Sequence, residues 1–272
     1  MTLREVAREW LPPVALRFIA QLASQRLTFS AAPDGWAAAV ARSSGYDHAR
    51  ILERVVSATR EVVAGHAAYE RDSVLFHEPD LRFEILAPLL RAALRHGGRL
   101  EVIDFGGSLG STFRQCRPFI PLAHVDWHVV EQAAFAAAGT AEFTTPELSF
   151  HSSIDDFPAT ALPRTLLASS VLQYLEDPLG HVRRWATLGI DTLIIDRTPM
   201  WGDAEDALCI QHVPRQIYPA SYPCWVLSRE RLLATLGDGW QLLAEFGGPE
   251  GSFHVRGGPR FGFSGMILER QS

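Results

Sequence analysis

Asp104, Gly106, Gly107, Ser108 and Gly110 fall within seven residues, "DFGGSLG", and Ser111 follows directly. The apolar run "LEVI" leads into this turn. Glycines without a Cβ let a bound group approach the backbone closely, and amides opening a following helix can meet a polar or anionic group. Ser108 stands where a GxGxxG dinucleotide fingerprint needs its second glycine, so the pyrophosphate pattern is broken. About one strand–helix unit later, "WHVVE" ends in Glu131. A carboxylate at that strand end can accept both hydroxyls of a ribose.

Asp104 to Gly110 fit the looser D-x-G-x-[GS]-x-G turn of S-adenosylmethionine (SAM) enzymes better than a nicotinamide turn. Ser111 or Thr112 adds a hydroxyl donor there. Further on, "LSFHSSIDDFP" brings Ser153 and Ile154 to a loop that can touch an adenine, while Asp155 and Asp156 also read as plain helix caps. Ser169 and Ser170 end "LLASS", Gln173 and Tyr174 follow, and Asp196, Arg197 and Thr198 end the next apolar run. Open α/β sheets bind ligands in the crevice outside the carboxyl ends of their strands.

Tyr174, Tyr218 and Tyr222 are candidates for the reacting end of the ligand, because aromatic faces favour a desolvated cation by up to ~2 kcal/mol. Trp225 in the same stretch reads as packing. His77, His128, His151, His181 and His212 are candidate bases, His212 foremost because it sits in the same stretch as Tyr218 and Tyr222, though it also reads as a structural histidine; no pair has metal-ligand spacing, and no HExxH occurs. Tyr69 and Arg71, in "YERD", read either as part of a lid, with the Arg71 fork gripping a ligand carboxylate, or as a charged surface. No metal is expected. A serine nucleophile elbow is absent, since "ASSVL" lacks its flanking glycines.

These residues need elements to hold them. "DGWAAAVARSSGYD" predicts a helix capped by Asp34 and stopping near Gly45. "HARILERVVSATREVVAGH" and "EPDLRFEILAPLLRAALRHGG" predict two more, with "AAYERDSVLFHE" as their connector. Short β-branched runs then alternate with helical stretches, the signature of a parallel sheet covered on both faces. "WQLLAEFGG" and "RFGFSGMILER" lack a helix between them and read as a closing antiparallel hairpin. The expected fold is α/β: a Rossmann-like class I methyltransferase sheet with an N-terminal helical extension. Residues 1–97 form the lid or extension. Residues 98–272 form the SAM-binding core, with a flap at about 208–227.

Bulk properties narrow the partners. With 47% apolar residues, 272 residues build a sizeable core without disulfides. A net charge of −6 and no dense basic run argue against nucleic acid. Cys116, Cys209 and Cys224 are scattered, which suggests a reducing, cytoplasmic setting and no zinc site. The segment up to Ser24 is too polar and too short to span a bilayer and reads as an amphipathic helix, so no membrane is expected.

Together, "AYERDSVLFHEP", "VIDFGGSLGSTF", "VVEQ", "LSFHSSID", "SSVLQYLEDP", "LIIDRTP" and "IYPASYPCWVLSR" resemble a family of class I SAM-dependent methyltransferases met in bacterial surface-polysaccharide and secondary-metabolite loci. The resemblance runs from about Gly35 to the C-terminus. It implies SAM as cosubstrate and a small-molecule acceptor, without naming that acceptor. The chain is also similar to the azetidine-2-carboxylate synthases of nonribosomal-peptide pathways. Those keep the methyltransferase fold, take SAM as sole substrate and cyclise it with release of methylthioadenosine. An NAD(P)-dependent oxidoreductase is the remote alternative, against which the broken GxGxxG weighs. A SAM-fold scaffold without activity is a further one.

Overall fold

The computed structural model describes residues 27–44, 48–71, 73–157, 165–213, 220–256, 258 and 260–271. β1 (Thr28–Ala31), α1 (Trp36–Arg42) and α2 (His48–Val63) come first, followed by a short hairpin of β2 (Tyr69–Arg71) and β3 (Val74–Phe76). After α3 (Phe83–Arg95), strands and helices alternate through β4 (Arg99–Phe105), α4 (Ser111–Cys116), β5 (His124–Val130), α5 (Ala133–Glu142), β6 (Leu148–His151), β7 (Thr165–Ser169), α6 (Pro178–Thr187) and β8 (Thr192–Trp201). The chain ends with β9 (Ala207–Val213), β10 (Ala220–Ser228), α7 (Arg229–Leu236), β11 (Trp240–Arg256) and β12 (Arg260–Arg270).

The local signals explain most of these elements. α3 buries Ile85, Leu86, Leu89, Ala92 and Ala93 along one stripe, and Gly97 and Gly98 take positive φ directly after it. Asp177 caps α6 by accepting the Gly180 amide at 2.8 Å. β4 is buried on both faces: Leu100 and Val102 join the core under α3 and α5, and Ile103 joins the core under α6 and α7.

Strands β4 to β8 are parallel, and β12 runs antiparallel to both β8 and β11. Their order, β6-β5-β4-β7-β8-β12-β11, is the class I methyltransferase layout, with the last strand inserted beside the fifth. The expected α/β fold and closing hairpin are therefore present.

Three expectations change. First, the N-terminal segment is not purely helical: β1 enters the main sheet between β9 and β11. Four residues, "TFSA", are too few to show a period in the sequence. Second, "AAYERDSVLFHE" contains the β2–β3 hairpin, whose three-residue strands are equally short. Third, the described residues of the expected flap, on either side of 214–219, are sheet. β9 and β10 pair from Ala207–Val226 to Val213–Ala220, and β10 meets β8 at Met200–Leu227 and Trp201–Ser228. Six strands thus close into a ring around Phe29, Cys209, Cys224, Phe253 and Phe261. In addition, α1 is capped by Gly35, with no side-chain cap from Asp34. That helix ends at Arg42, with extended Ser43 after it, short of the expected stop near Gly45; the N-terminal amphipathic segment lies outside the described residues. No helix among the described residues is long and apolar enough to cross a membrane.

Candidate functional site

A cavity of about 1130 Å³ opens over the carboxyl ends of β4 to β8. Its floor takes Gly106 to Ser108 after β4, Glu131 after β5, Ser153 and Ile154 after β6, Ser169 and Ser170 at β7, and Asp196 and Arg197 on β8. Trp36 of α1, Arg54 of α2 and Glu70 of β2 overhang it, and Tyr222 of β10 forms a side wall. The strand–helix alternation read from the sequence brings these loops to one rim.

The glycine turn is held by the chain itself. Gly106 has φ 75°, and a Cβ there would lie 2.5 Å from Val171 Cγ2. A Cβ on Gly107 would lie 2.5 Å from the Asp104 carboxyl carbon. Gly110 has φ 83° and does not line the cavity; its Cβ would meet the Leu148 side chain at 2.9 Å. Gly110 therefore serves the turn and its packing. The described residues with positive φ other than glycine are Ser73, Ser108, Ser170 and Arg197, and all four border the cavity. The left-handed region costs an L-residue roughly 1–2 kcal/mol, and such strain concentrates at functional sites.

Charge is distributed unevenly. Asp104 is 1% exposed, and Trp127 Nε1 donates to its Oδ2 at 3.0 Å. Burial pushes this carboxyl up to about 7; the indole bond pulls it down, and nearby Glu131 adds to the rise. Burial raises Glu131 as well, offset by the Gln132 and Ser108 amides, the former at 2.8 Å. No arginine among the described residues pairs with either group, and the chain contains no lysine. Glu70 accepts the Ser111 hydroxyl and, at 3.0 Å, the Ser73 amide. Asp196 is paired with Arg82 at 2.8 Å and accepts the Ser169 hydroxyl at 2.7 Å.

Tyr174 and Tyr222 are brought together, ring edge to ring face, with centroids 5.1 Å apart. Gln211 joins them: Tyr174 donates to its Oε1 at 3.2 Å, and its Nε2 donates to the Tyr222 hydroxyl at 3.0 Å. His212 is not in the site. β9 alternates, so Gln211 takes the Tyr222 side while His212 turns the other way, its Nε2 2.9 Å from Ser30 Oγ. Tyr218 lies outside the described residues.

Tyr69 also misses the cavity, since it is buried and stacked on Phe76 at 4.6 Å. Its neighbour Glu70, on the other face of β2, lines the cavity instead. Arg71 reaches the rim with Nη2 3.2 Å from Asp80 Oδ2 and its guanidinium 5.4 Å above the Tyr69 ring. Ser153 caps a 3-10 turn by accepting the Asp155 amide, and Asp156 accepts the Ser153 amide, which bears out the capping alternative for that aspartate. Ile154 packs into the adjoining wall. Ser170 accepts a hydrogen bond from Gln173 at 3.2 Å. Trp225 stacks on Trp36, as packing. The sequence reading did not single out Trp127, Glu70, Arg82 or Gln211; alternation along β2 and β9 is the signal that points to Glu70 and Gln211.

No family model matches the chain, and no curated protein does. Several solved structures are similar at low identity. The N-terminal domain of EvdMO1, crystallised in the presence of SAH and D-fucose, is 13% identical with a TM-score of 0.47, over 84% of this chain and 98% of that one. A SAM-dependent methyltransferase from Clostridium acetobutylicum is 9% identical with a TM-score of 0.46, over 71% and 94%. SAM-bound CalS10, an amino pentose methyltransferase from Micromonospora echinaspora involved in calicheamicin biosynthesis, is 12% identical with a TM-score of 0.42, over 66% and 87%.

Proposed function

We propose that this cavity binds SAM and that the chain is a SAM-dependent methyltransferase acting on a small molecule. The observation that carries the reading is the pair Asp104 and Glu131. Two carboxylates border one cavity beside a glycine turn, held by an indole and by amides, with no cation among the described residues paired to either. A nicotinamide dinucleotide would bring its pyrophosphate against like charge there. A sulfonium and an ammonium meet opposite charge. Together with the broken GxGxxG, this weighs against an oxidoreductase.

The residues present fit the ligand. Glu131 accepts the ribose hydroxyls, Ser153 and Ile154 flank the adenine, and the Gly106–Ser108 backbone runs beside the methionyl part. Bound SAM supplies a methyl group on a cationic sulfur. What the chain adds is alignment, exclusion of water and charge balance. The cavity, about 1130 Å³, exceeds the roughly 300–1,000 Å³ of ordinary ligand sites, which supports room for a second molecule. Tyr174, Tyr222 and Gln211 line or back the wall where an acceptor would rest, offering aromatic faces and polar atoms to orient it.

A second reading keeps the ligand and removes the acceptor: cyclisation of SAM to azetidine-2-carboxylate with release of methylthioadenosine. The Tyr174–Tyr222 pair favours it, as an aromatic wall can hold a folded sulfonium chain. Product analysis separates the two. Purified protein is incubated with SAM alone and with SAM plus a small-molecule extract, and products are followed by mass spectrometry. Transfer predicts S-adenosylhomocysteine (SAH) only when extract is present. Methylthioadenosine with stoichiometric cyclic amino acid from SAM alone establishes the cyclase instead. No SAM-derived product in either incubation removes both.

A further inference from the structure

Resting on the SAM reading, we propose that Arg82 is the cation that receives the methionyl carboxylate. Arg71 is engaged elsewhere, by Asp80 and by the Tyr69 and Phe76 rings. Arg197 is bound to Glu250 at 2.7 Å, and Arg184 is bound to Asp155 beside the adenine loop. Arg54 sits on the exposed face of α2. Arg82 differs from all of these in being both fixed and incompletely used.

Its side chain is 13% exposed. Nη2 is pinned 2.8 Å from Oδ1 of buried Asp196, whose other oxygen accepts the Ser169 hydroxyl. Nε lies 4.0 Å from Glu84, and Nη1 has no hydrogen-bond partner among the described residues, although Arg82 lines the cavity. The backbone beside it is also held: Gln115 of α4, the helix that follows the glycine turn, donates to the Asp80 carbonyl at 2.7 Å.

The strand order gives the direction. Across the tips run β6, β5, β4, β7 and β8. Adenine at Ser153 and ribose at Glu131 occupy the β6 and β5 end. The methionyl part then extends over β4 and β7, toward Asp196 on β8 and the guanidinium attached to it. A planar guanidinium with one nitrogen anchored presents the rest of its fork in a set orientation, the arrangement that suits a carboxylate. Arg82 is thus a binding residue, and Asp196 positions it.

The test compares two ligands that differ at that end. SAH carries the carboxylate; 5′-methylthioadenosine lacks it. Each is titrated calorimetrically into wild type, Arg82→Gln and the double variant Arg82→Gln/Asp196→Asn, which leaves no buried carboxylate unpaired. The expected result is a loss of roughly ten- to hundredfold in SAH affinity in both variants, the scale of a charge-assisted hydrogen bond. Methylthioadenosine affinity stays within about twofold, since none of its groups reaches Arg82. Equal losses for both ligands, or unchanged SAH affinity, overturn the assignment of Arg82 while wild-type binding leaves the SAM reading standing. Wild type that binds neither ligand overturns the SAM reading, and this assignment with it. If the single variant does not fold, the double variant gives the answer.

Discussion

Trp127 Nε1 donates to Asp104 Oδ2 at 3.0 Å, so an indole in β5 holds the carboxylate that opens the glycine turn after β4. Both side chains are almost fully buried. The bond ties the middle of β5, where Trp127 pairs in register with Val102, to the ligand-facing end of β4.

Removing that donor should be costly. Trp127→Phe leaves a buried acceptor unpaired, which costs about 1–3 kcal/mol. Urea unfolding should show the loss, and the Asp104 carboxyl should titrate higher still in the variant. A midpoint equal to wild type would mean the indole does not hold Asp104.

The same carboxyl sets a pH dependence. Its folded value is about 7 against an ordinary 3.8. Between these values the unfolded chain gives up a proton that the folded chain keeps. The contribution of Asp104 to stability therefore falls as pH rises through this window and levels off above it. Asp104→Asn should flatten that slope in unfolding measured across the range.

A cationic ligand favours the ionised carboxylate, so SAM affinity should weaken as pH drops from roughly 8 to 6. SAH, whose sulfur is neutral, should change less. Parallel titrations of the two ligands across pH read this directly. Identical pH profiles would show that Asp104 does not sense the sulfonium.

Glu131→Ala should weaken SAM binding by about 1.5–3 kcal/mol, the scale of hydrogen bonds to a charged group. The fold should survive, because Glu131 follows the end of β5 and its partners are amides. Calorimetry with circular dichroism checks both halves. Unchanged affinity in a folded variant would remove Glu131 from the ribose.

Gly106→Ala should destabilise the protein even without ligand. The new Cβ meets Val171 and must sit at positive φ. Adding Val171→Gly, which removes both the Cγ2 at 2.5 Å and the Cβ at 2.8 Å, should recover the part due to collision and leave about 1–2 kcal/mol of backbone strain. No recovery in the double variant would assign the whole effect to strain.

Much of this arrangement was legible in the residues. The parallel strands announce themselves as short β-branched runs, and Asp104, Gly106, Ser108 and Glu131 fall where a strand-end site needs them. Less legible were contacts made across long sequence separations. Nothing local to Trp127 says that its indole turns toward Asp104, and nothing local to Arg82 says that Asp196, 114 residues on, will hold it. β2 is too short to show the alternation that sends Glu70 to the cavity side and Tyr69 away, and along β9 the alternation does not say which face, that of Gln211 or that of His212, meets the tyrosine pair. Gly110 read as a ligand contact because a glycine that makes room for Leu148 looks the same in sequence as one that makes room for a cofactor.

The cavity over β4 and β5, bordered by Asp104 and Glu131, is proposed to bind SAM. Calorimetric titration of the purified protein with SAM, SAH and NADH tests it most directly. Saturable, one-to-one binding of SAM and SAH is expected, lost or much weakened in Glu131→Ala, with no heat of binding from NADH. Saturable NADH binding without SAM binding would contradict it.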